Sequence, residues 1–198
     1  MGYSLKLIDL DASAKIGEGY AGAKFSSAYC PPEMIYFNSD TGTYGIKTFQ
    51  VDNQSDKPIN IDLLGYDLTP ATYSIDVWAF GILLYRTCSK MTFFHSDDED
   101  NLVTQEDFAD LYQFTDEFKT SKLKYISDLQ ARNLISQLLN KDPTRRPAMQ
   151  EVLYHPFITG KATARMVGDD PEFDVFISYR YIFCYDNYVI NHIPQSGK

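Results

Sequence analysis

The sequence predicts a mainly α fold, a helical bundle with a few short strands. Residues 74–88 are apolar on nearly every side, which indicates a helix buried on most of its faces. Leucine and isoleucine recur at helical spacing over residues 128–140, which predicts a second helix. One short alternating run near residues 4–10 predicts a strand that stops at acidic residues. Helical patterns therefore dominate the chain.

The predicted helix ends follow from residue types that satisfy free backbone groups. Ser74 is placed to cap the first of these helices. Thr104 followed by Asp107 resembles a capping box, with Asp in place of the usual Glu or Gln. Thr144 is placed to cap a late helix that stops before Pro156. A helix is thus expected to start at each of these three capping residues.

Three other stretches are expected to lie outside the bundle. Residues 11–32 are rich in Gly, Ala and Ser and are predicted to form a loop. Residues 38–60 are polar and predict a long mobile insertion. After a linker, residues 173–179 (FDVFISY) are rich in aromatic and β-branched residues and predict a buried strand.

Composition excludes several classes of function. The formal net charge of −9 makes nucleic acid a poor partner. Cys30, Cys88 and Cys184 are far apart, which argues against a disulfide framework or a zinc site and favours a reducing, cytoplasmic location. No apolar run approaches the roughly 20 residues that a membrane-spanning helix needs. No signal peptide is recognised at the N-terminus.

Four separated motifs resemble those of the eukaryotic protein kinases, in the order of that family. Residues 9–11 (DLD) resemble the magnesium-binding D-F-G motif, and residues 29–33 (YCPPE) resemble the A-P-E end of the activation segment. Residues 76–81 (DVWAFG) resemble the D-x-W-x-x-G start of the central helix of the large lobe. Residues 142–147 (DPTRRP) and 155–157 (HPF) resemble the end of the kinase domain.

The resemblance implies a kinase C-lobe without an N-lobe, covering residues 1–160 with an insertion at about 38–68. It also implies a longer parent that transfers the γ-phosphoryl of ATP to hydroxyls of protein substrates, with Asp9 as a ligand of Mg²⁺. The glycine-rich loop, the phosphate lysine and the catalytic loop of the family would lie upstream of Asp9, so this chain alone is expected to be inactive. Asp11 replaces the family's glycine, which puts metal binding by the parent in doubt.

The other matched residues are expected to be structural. Glu33 and Arg146 correspond to a buried ion pair that ties the activation segment to a late helix, the alternative being two unrelated surface charges. Asp76 corresponds to the acid that braces the catalytic loop. Trp78 is expected in the core.

Three hydroxyls are expected in the activation segment. Ser26 lies seven residues before Glu33, where serine/threonine kinases place a hydroxyl that contacts the catalytic loop, which favours Ser/Thr specificity. Ser26, Ser27 and Tyr29 are also candidate phosphorylation sites, the alternative being ordinary loop hydroxyls.

A second resemblance follows the kinase-like part. Residues 172–180 (EFDVFISYR) look like the first strand of a TIR domain, which predicts a linker at 161–171 and a truncated TIR-like start at 172–198. A stray strand packed on the lobe is the alternative. A non-catalytic, pseudokinase-like scaffold and a TIR-type adaptor are the alternative functions to a kinase.

Overall fold

The computed structural model describes residues 13–52 and 57–160, together with the backbone of residues 184–185. The predicted strands near residues 4–10 and at 173–179 lie outside the described residues.

The described part is mainly helical, as predicted. Its α-helices, in chain order, are α1 (Tyr73–Ser89), α2 (Gln105–Gln113), α3 (Asp116–Leu123), α4 (Leu129–Leu138), α5 (Met149–Tyr154) and α6 (Pro156–Thr159). Short 3-10 helices lie at Ser27–Tyr29, Pro32–Met34, Ile61–Leu63 and Pro143–Arg145.

Helix α1 is the centre of the core, which confirms the burial predicted for residues 74–88. Trp78 and Tyr85 on this helix have no exposed surface. Gly81 allows α4 to approach, because a Cβ placed there would lie 2.8 Å from Cδ2 of Leu139 and 2.9 Å from Cβ of Leu138. The close α1–α4 contact makes these two helices the framework on which the other elements pack.

An aromatic layer closes the core beside α1. Phe93 and Phe114 are buried, and their rings lie 6.1 Å apart. Phe114 also meets Trp78 edge-on at 4.8 Å, and Phe93 meets Tyr85 at 4.8 Å. Such edge-to-face pairs stabilise a core by more than their buried area alone.

One of the three predicted helix caps is confirmed. The Thr104 hydroxyl accepts from the Asp107 backbone N–H at 3.2 Å, and the Asp107 carboxylate accepts from the Thr104 N–H at 2.8 Å. The cap prediction for Ser74 is wrong, because α1 begins one residue earlier and its N-cap position is Thr72. The prediction for Thr144 is also wrong, because this residue lies inside the 3-10 helix that Asp142 caps.

The strands are short and form two-stranded pairs. In chain order they are β1 (Ala14–Lys15), β2 (Tyr20–Ala21), β3 (Ile35–Asn38), β4 (Thr43–Ile46), β5 (Gln50–Val51), β6 (Pro58–Ile59), β7 (Thr69–Pro70) and β8 (Cys184–Tyr185). β2 pairs with β7, β3 with β4 and β5 with β6, all antiparallel, and β1 pairs with β8 in parallel.

The segment expected to be a long mobile insertion instead contains two strand pairs, β3–β4 and β5–β6, and the first of them is fixed to the lobe. The β3–β4 hairpin contacts α2 through Tyr44, whose backbone N–H and carbonyl bond to the side chain of Gln105 at 2.6 and 3.2 Å. Tyr66 stacks on Tyr36 at 4.4 Å, and its hydroxyl bonds to both the N–H and the carbonyl of Thr48. Scattered tyrosines anchor a segment whose overall polarity indicated an irregular loop.

Among the described residues, no helix combines the length and the apolar character needed to cross a membrane.

Candidate functional site

The best-defined polar site in the lobe is formed by Glu33 and Arg146. The two guanidinium NH groups of Arg146 donate to the two carboxylate oxygens of Glu33, each at 2.7 Å. The Arg146 side chain is fully buried, whereas the Glu33 side chain keeps 23% of its surface exposed. A bidentate pair of this kind has directional specificity in addition to charge attraction.

The remaining donors of Arg146 are also used. They reach the carbonyl oxygens of Ser74 at 2.9 Å, Asn140 at 2.8 Å and Lys141 at 3.3 Å. The guanidinium also lies 5.0 Å from the centre of the Trp78 ring. Because every contact favours the charged side chain, the cost of removing it from water is offset within the site.

Local backbone structure places both partners. Glu33 lies in the short helix Pro32–Met34, where proline fixes the backbone at the first position. Arg146 follows directly after the short helix Pro143–Arg145. Asp142 caps this helix by accepting from the Thr144 N–H at 2.9 Å. The predicted partners, 113 positions apart, are thus brought into contact.

The candidate activation-segment residues lie against the loop at 96–102. Ser27 is buried, and its hydroxyl accepts from the Leu102 N–H at 2.6 Å. The backbone N–H of Ser27 donates to the side chain of Asn101 at 3.3 Å. Tyr29 is buried too, and its hydroxyl accepts from Arg86 at 3.1 Å. Ser26 is half-exposed and precedes the short helix.

The partners in this contact were not identified from the sequence. Arg86 also donates to Asp100 at 2.8 Å, and the Asp100 carbonyl accepts from the Ala28 N–H at 3.0 Å. The only signal in the sequence was an acidic loop, and acidic loops are usually solvated. In the structure this loop accepts from the backbone N–H groups of Ser27 and Ala28, and Asp100 adopts a left-handed conformation with φ of 61°.

The other two predicted residues are Asp9 and Asp76. Asp9 lies outside the described residues. Asp76 is half-buried in the first turn of α1, where a carboxylate is favoured by the helix dipole. In the described ranges, no group of three or more His, Cys, Asp or Glu side chains could hold a metal ion.

Other matched residues are structural. Trp78 is buried as predicted. His155 caps α6, accepting from the Phe157 N–H at 3.2 Å, and its other ring nitrogen lies 3.0 Å from Asn133. The two cysteines whose side chains are described, Cys30 and Cys88, are free thiols. Burial, followed by the charge of Glu33, raises the pKa of Cys30 to about 12.

Three relatives illustrate what the chain is similar to. A probable serine/threonine-protein kinase (fhkA) of Dictyostelium discoideum is 27% identical over 158 residues, covering 78% of this chain and 25% of the relative. The Aurora kinase of the same organism is 33% identical over 103 residues, covering 51% of this chain and 22% of the relative. A calcium/calmodulin-dependent protein kinase type 1 of Caenorhabditis briggsae is 26% identical over 140 residues, with 66% and 38% coverage. The chain therefore spans well under half of each relative.

Among solved structures, the Rad53 kinase domain in complex with AMPPNP matches 72% of this chain and 41% of its own, with 19% identity and a TM-score of 0.39. Residues 63–158 match the family model described as the protein kinase domain. This stretch holds α1 to α5 and Arg146, and it ends within α6. Residues 63–158 thus resemble part of a protein kinase domain, and the relatives described above are protein kinases.

Proposed function

We propose that the chain is the large-lobe portion of a serine/threonine protein kinase, whose longer parent transfers the γ-phosphoryl of ATP to hydroxyls of protein substrates. The observation that carries this proposal is the contact between Glu33 and Arg146, which joins the A-P-E-like and D-P-x-x-R-P-like motifs at 2.7 Å. Glu33 and Arg146 lie 113 positions apart, so the contact between these motifs supports one common fold for the region between them.

The described residues do not by themselves fit ATP and Mg²⁺. They contain no carboxylate cluster for a metal ion. Asp9, the proposed metal ligand, lies outside them. Phosphoryl transfer depends on several groups that position the phosphates and neutralise their charge together. We therefore propose that the 198-residue chain alone is inactive and that the activity belongs to the parent.

The test compares this chain with the longest natural polypeptide that contains it. Each is incubated with radiolabelled ATP, Mg²⁺ and casein, and labelled serine, threonine and tyrosine are then separated. We expect no transfer by the chain alone, and transfer to serine or threonine by the longer polypeptide. Transfer by the isolated chain would refute its proposed inactivity. The absence of transfer by the longer polypeptide would refute the kinase proposal.

A matched pair of variants in the longer polypeptide separates metal binding from folding. Asp9→Asn is expected to abolish transfer, because it removes the proposed Mg²⁺ ligand. Asp40→Asn makes the same chemical change at an exposed position of the insertion and is expected to leave transfer unchanged. Equal activity in both variants would exclude Asp9 from the site.

A non-catalytic scaffold is the second candidate, and the roles of the described matched residues favour it. The contacts of Arg146 with Glu33 and Trp78 stabilise the lobe. We assign none of these three residues a role in binding or transferring phosphate. One relative is a probable inactive serine/threonine-protein kinase of Dictyostelium discoideum, 24% identical over 95 residues. A scaffold predicts a folded parent without transfer activity.

The TIR-like start at residues 172–198 remains part of the proposal, in which it would connect the lobe to signalling proteins. It stands on the short match at residues 172–180 alone. Sequencing of transcripts beyond codon 198 tests it. A reading frame that continues the TIR pattern would support a fusion, and a stop codon directly after Lys198 would refute one.

A further inference from the structure

An open cleft of about 370 Å³ lies between the insertion and the segments that carry Glu33 and Arg146. Its volume is within the range of binding pockets. The apolar residues Leu68, Pro70 and Pro143 line the cleft, together with the charged residues Glu33, Lys47 and Asp67. Lys47, Asp67 and Leu68 belong to the insertion at about 38–68 and form one wall of the cleft. The cleft therefore depends on this insertion.

Two charged residues of this cleft have no partner among the described residues. The Lys47 ammonium and the Asp67 carboxylate form no hydrogen bond or ion pair with them, so they stand more than 4.0 Å apart from one another. Glu33, in contrast, is neutralised by Arg146. Among the described residues, the cleft therefore offers one unpaired positive charge and one unpaired negative charge beside an apolar surface.

Hydrogen bonds fix the two chain segments that carry these charges relative to one another. The Lys47 N–H donates to the Met34 carbonyl at 2.8 Å, and a side chain at Gly22 would clash with the Lys47 carbonyl. The next residue, Thr48, is bonded through both its N–H and its carbonyl to the hydroxyl of Tyr66, the neighbour of Asp67. This contact links the two walls, and a preorganised site loses less entropy on binding.

We propose that this cleft docks a peptide segment of a protein partner, in which an apolar side chain stands between one acidic and one basic residue. The apolar side chain would pack on Leu68, Pro70 and Pro143, the acid would face Lys47, and the base would face Asp67. A simple anion is disfavoured, because Asp67 would repel it. The docking does not depend on phosphoryl transfer, so it stands or fails separately from the proposed kinase activity.

Three blocked pentapeptides test the charge pattern by titration into the isotopically labelled 198-residue chain, followed by amide NMR shifts. They are Gly-Glu-Leu-Arg-Gly, Gly-Arg-Leu-Arg-Gly and Gly-Glu-Leu-Glu-Gly. The wild-type chain should bind the mixed peptide about fivefold more tightly than the other two, since each exposed charge contact contributes modestly. The largest shifts should fall at residues 47 and 67–69.

Two variants should redirect this preference. Lys47→Glu makes both free charges negative and should select the Arg-Leu-Arg peptide. Asp67→Lys makes both positive and should select the Glu-Leu-Glu peptide. Lys57→Glu and Asp62→Lys make the same changes at exposed positions of the insertion outside the cleft, and should keep the wild-type preference.

Equal binding of the three peptides by the wild-type chain would overturn the proposal. A change of preference in Lys57→Glu or Asp62→Lys as large as in the cleft variants would also overturn it, because the effect would then reflect net charge. Circular dichroism checks folding. If one cleft variant fails to fold, the other carries the same test with the opposite sign.

Discussion

Arg146 binds the carboxylate of Glu33 through two parallel hydrogen bonds of 2.7 Å while its guanidinium covers Trp78 at 5.0 Å. One side chain thus joins the segment after the candidate activation region, the central helix α1 and the turn before α5. Since its side chain is fully buried, the pair acts as an internal structural contact rather than a surface ion pair.

Arg146→Met should lower the free energy of unfolding by about 3–5 kcal/mol, because it leaves a partly buried carboxylate without its partner. Urea unfolding followed by circular dichroism measures this change. Arg145→Met is the matched control, since Arg145 is exposed and adjacent. A loss no larger in the Arg146 variant than in the control would show that the pair contributes little.

Gly81→Ala should destabilise the lobe by about 1–3 kcal/mol, because the added methyl would overlap Leu138 and Leu139 and push α4 from α1. Thermal unfolding reports the change. Leu139→Ala is expected to be less harmful in the Gly81→Ala background than in the wild-type background, since it makes room for the methyl group. Additive effects in the double variant would contradict this packing account.

Ser27→Ala should cost about 1–3 kcal/mol, because the buried N–H of Leu102 loses its acceptor. The half-exposed neighbour Ser26 is the control, and Ser26→Ala should change stability by less than about 0.5 kcal/mol. Chemical denaturation compares the two variants. Equal stability would mean that the Ser27 hydroxyl does not hold the 96–102 loop.

The stability contribution of Asp107 should depend on pH. Burial raises the pKa of Asp107, but hydrogen bonds from Thr104 and the contact with His95 outweigh it and hold the pKa below the usual value of 3.8. A lowered folded-state pKa means that the carboxylate stabilises the protein above pH 3.8, and that this stabilisation is lost as the pH falls through the folded pKa.

Asp107→Asn should therefore be destabilising at pH 7, and its difference from the wild type should shrink as the pH falls below 3.8. Unfolding measured by urea at a series of pH values between 2 and 7 provides the comparison. Glu106→Gln, on the exposed side of the same turn, is the control variant. A difference for Asp107→Asn that is constant across this range would refute the assigned role of the carboxylate.

The helical body could be predicted from the sequence because burial leaves a direct pattern. Nearly continuous apolarity marks α1, and spaced leucines mark α4. The Thr104–Asp107 cap was also predictable, since both partners lie within one turn. The start of α1 was placed one residue late, because Thr72 and Ser74 both carry hydroxyls suited to capping and only the backbone conformation separates them.

The rest depends on contacts between distant residues. The bond between Ser27 and Leu102 joins positions 75 apart, and no local pattern indicates it. The order in the insertion rests on contacts of Tyr44 with Gln105 and of Tyr66 with Tyr36 and Thr48, and no local pattern indicates these contacts. The cleft between Lys47 and Asp67 could not be foreseen, since its lining residues lie as far apart in the chain as Glu33 and Thr144.

The insertion leaves the lobe and returns to it at nearly the same point. The Thr69 hydroxyl donates to the Glu33 carbonyl at 3.3 Å, just before the insertion starts and just after it ends. A segment with adjacent ends can lengthen, shorten or be exchanged during evolution at a small cost in chain entropy, without rerouting the helices. Natural variation in this gene is therefore expected to gather between these two anchor residues, so that related proteins could change their docking partners while keeping one unchanged helical body.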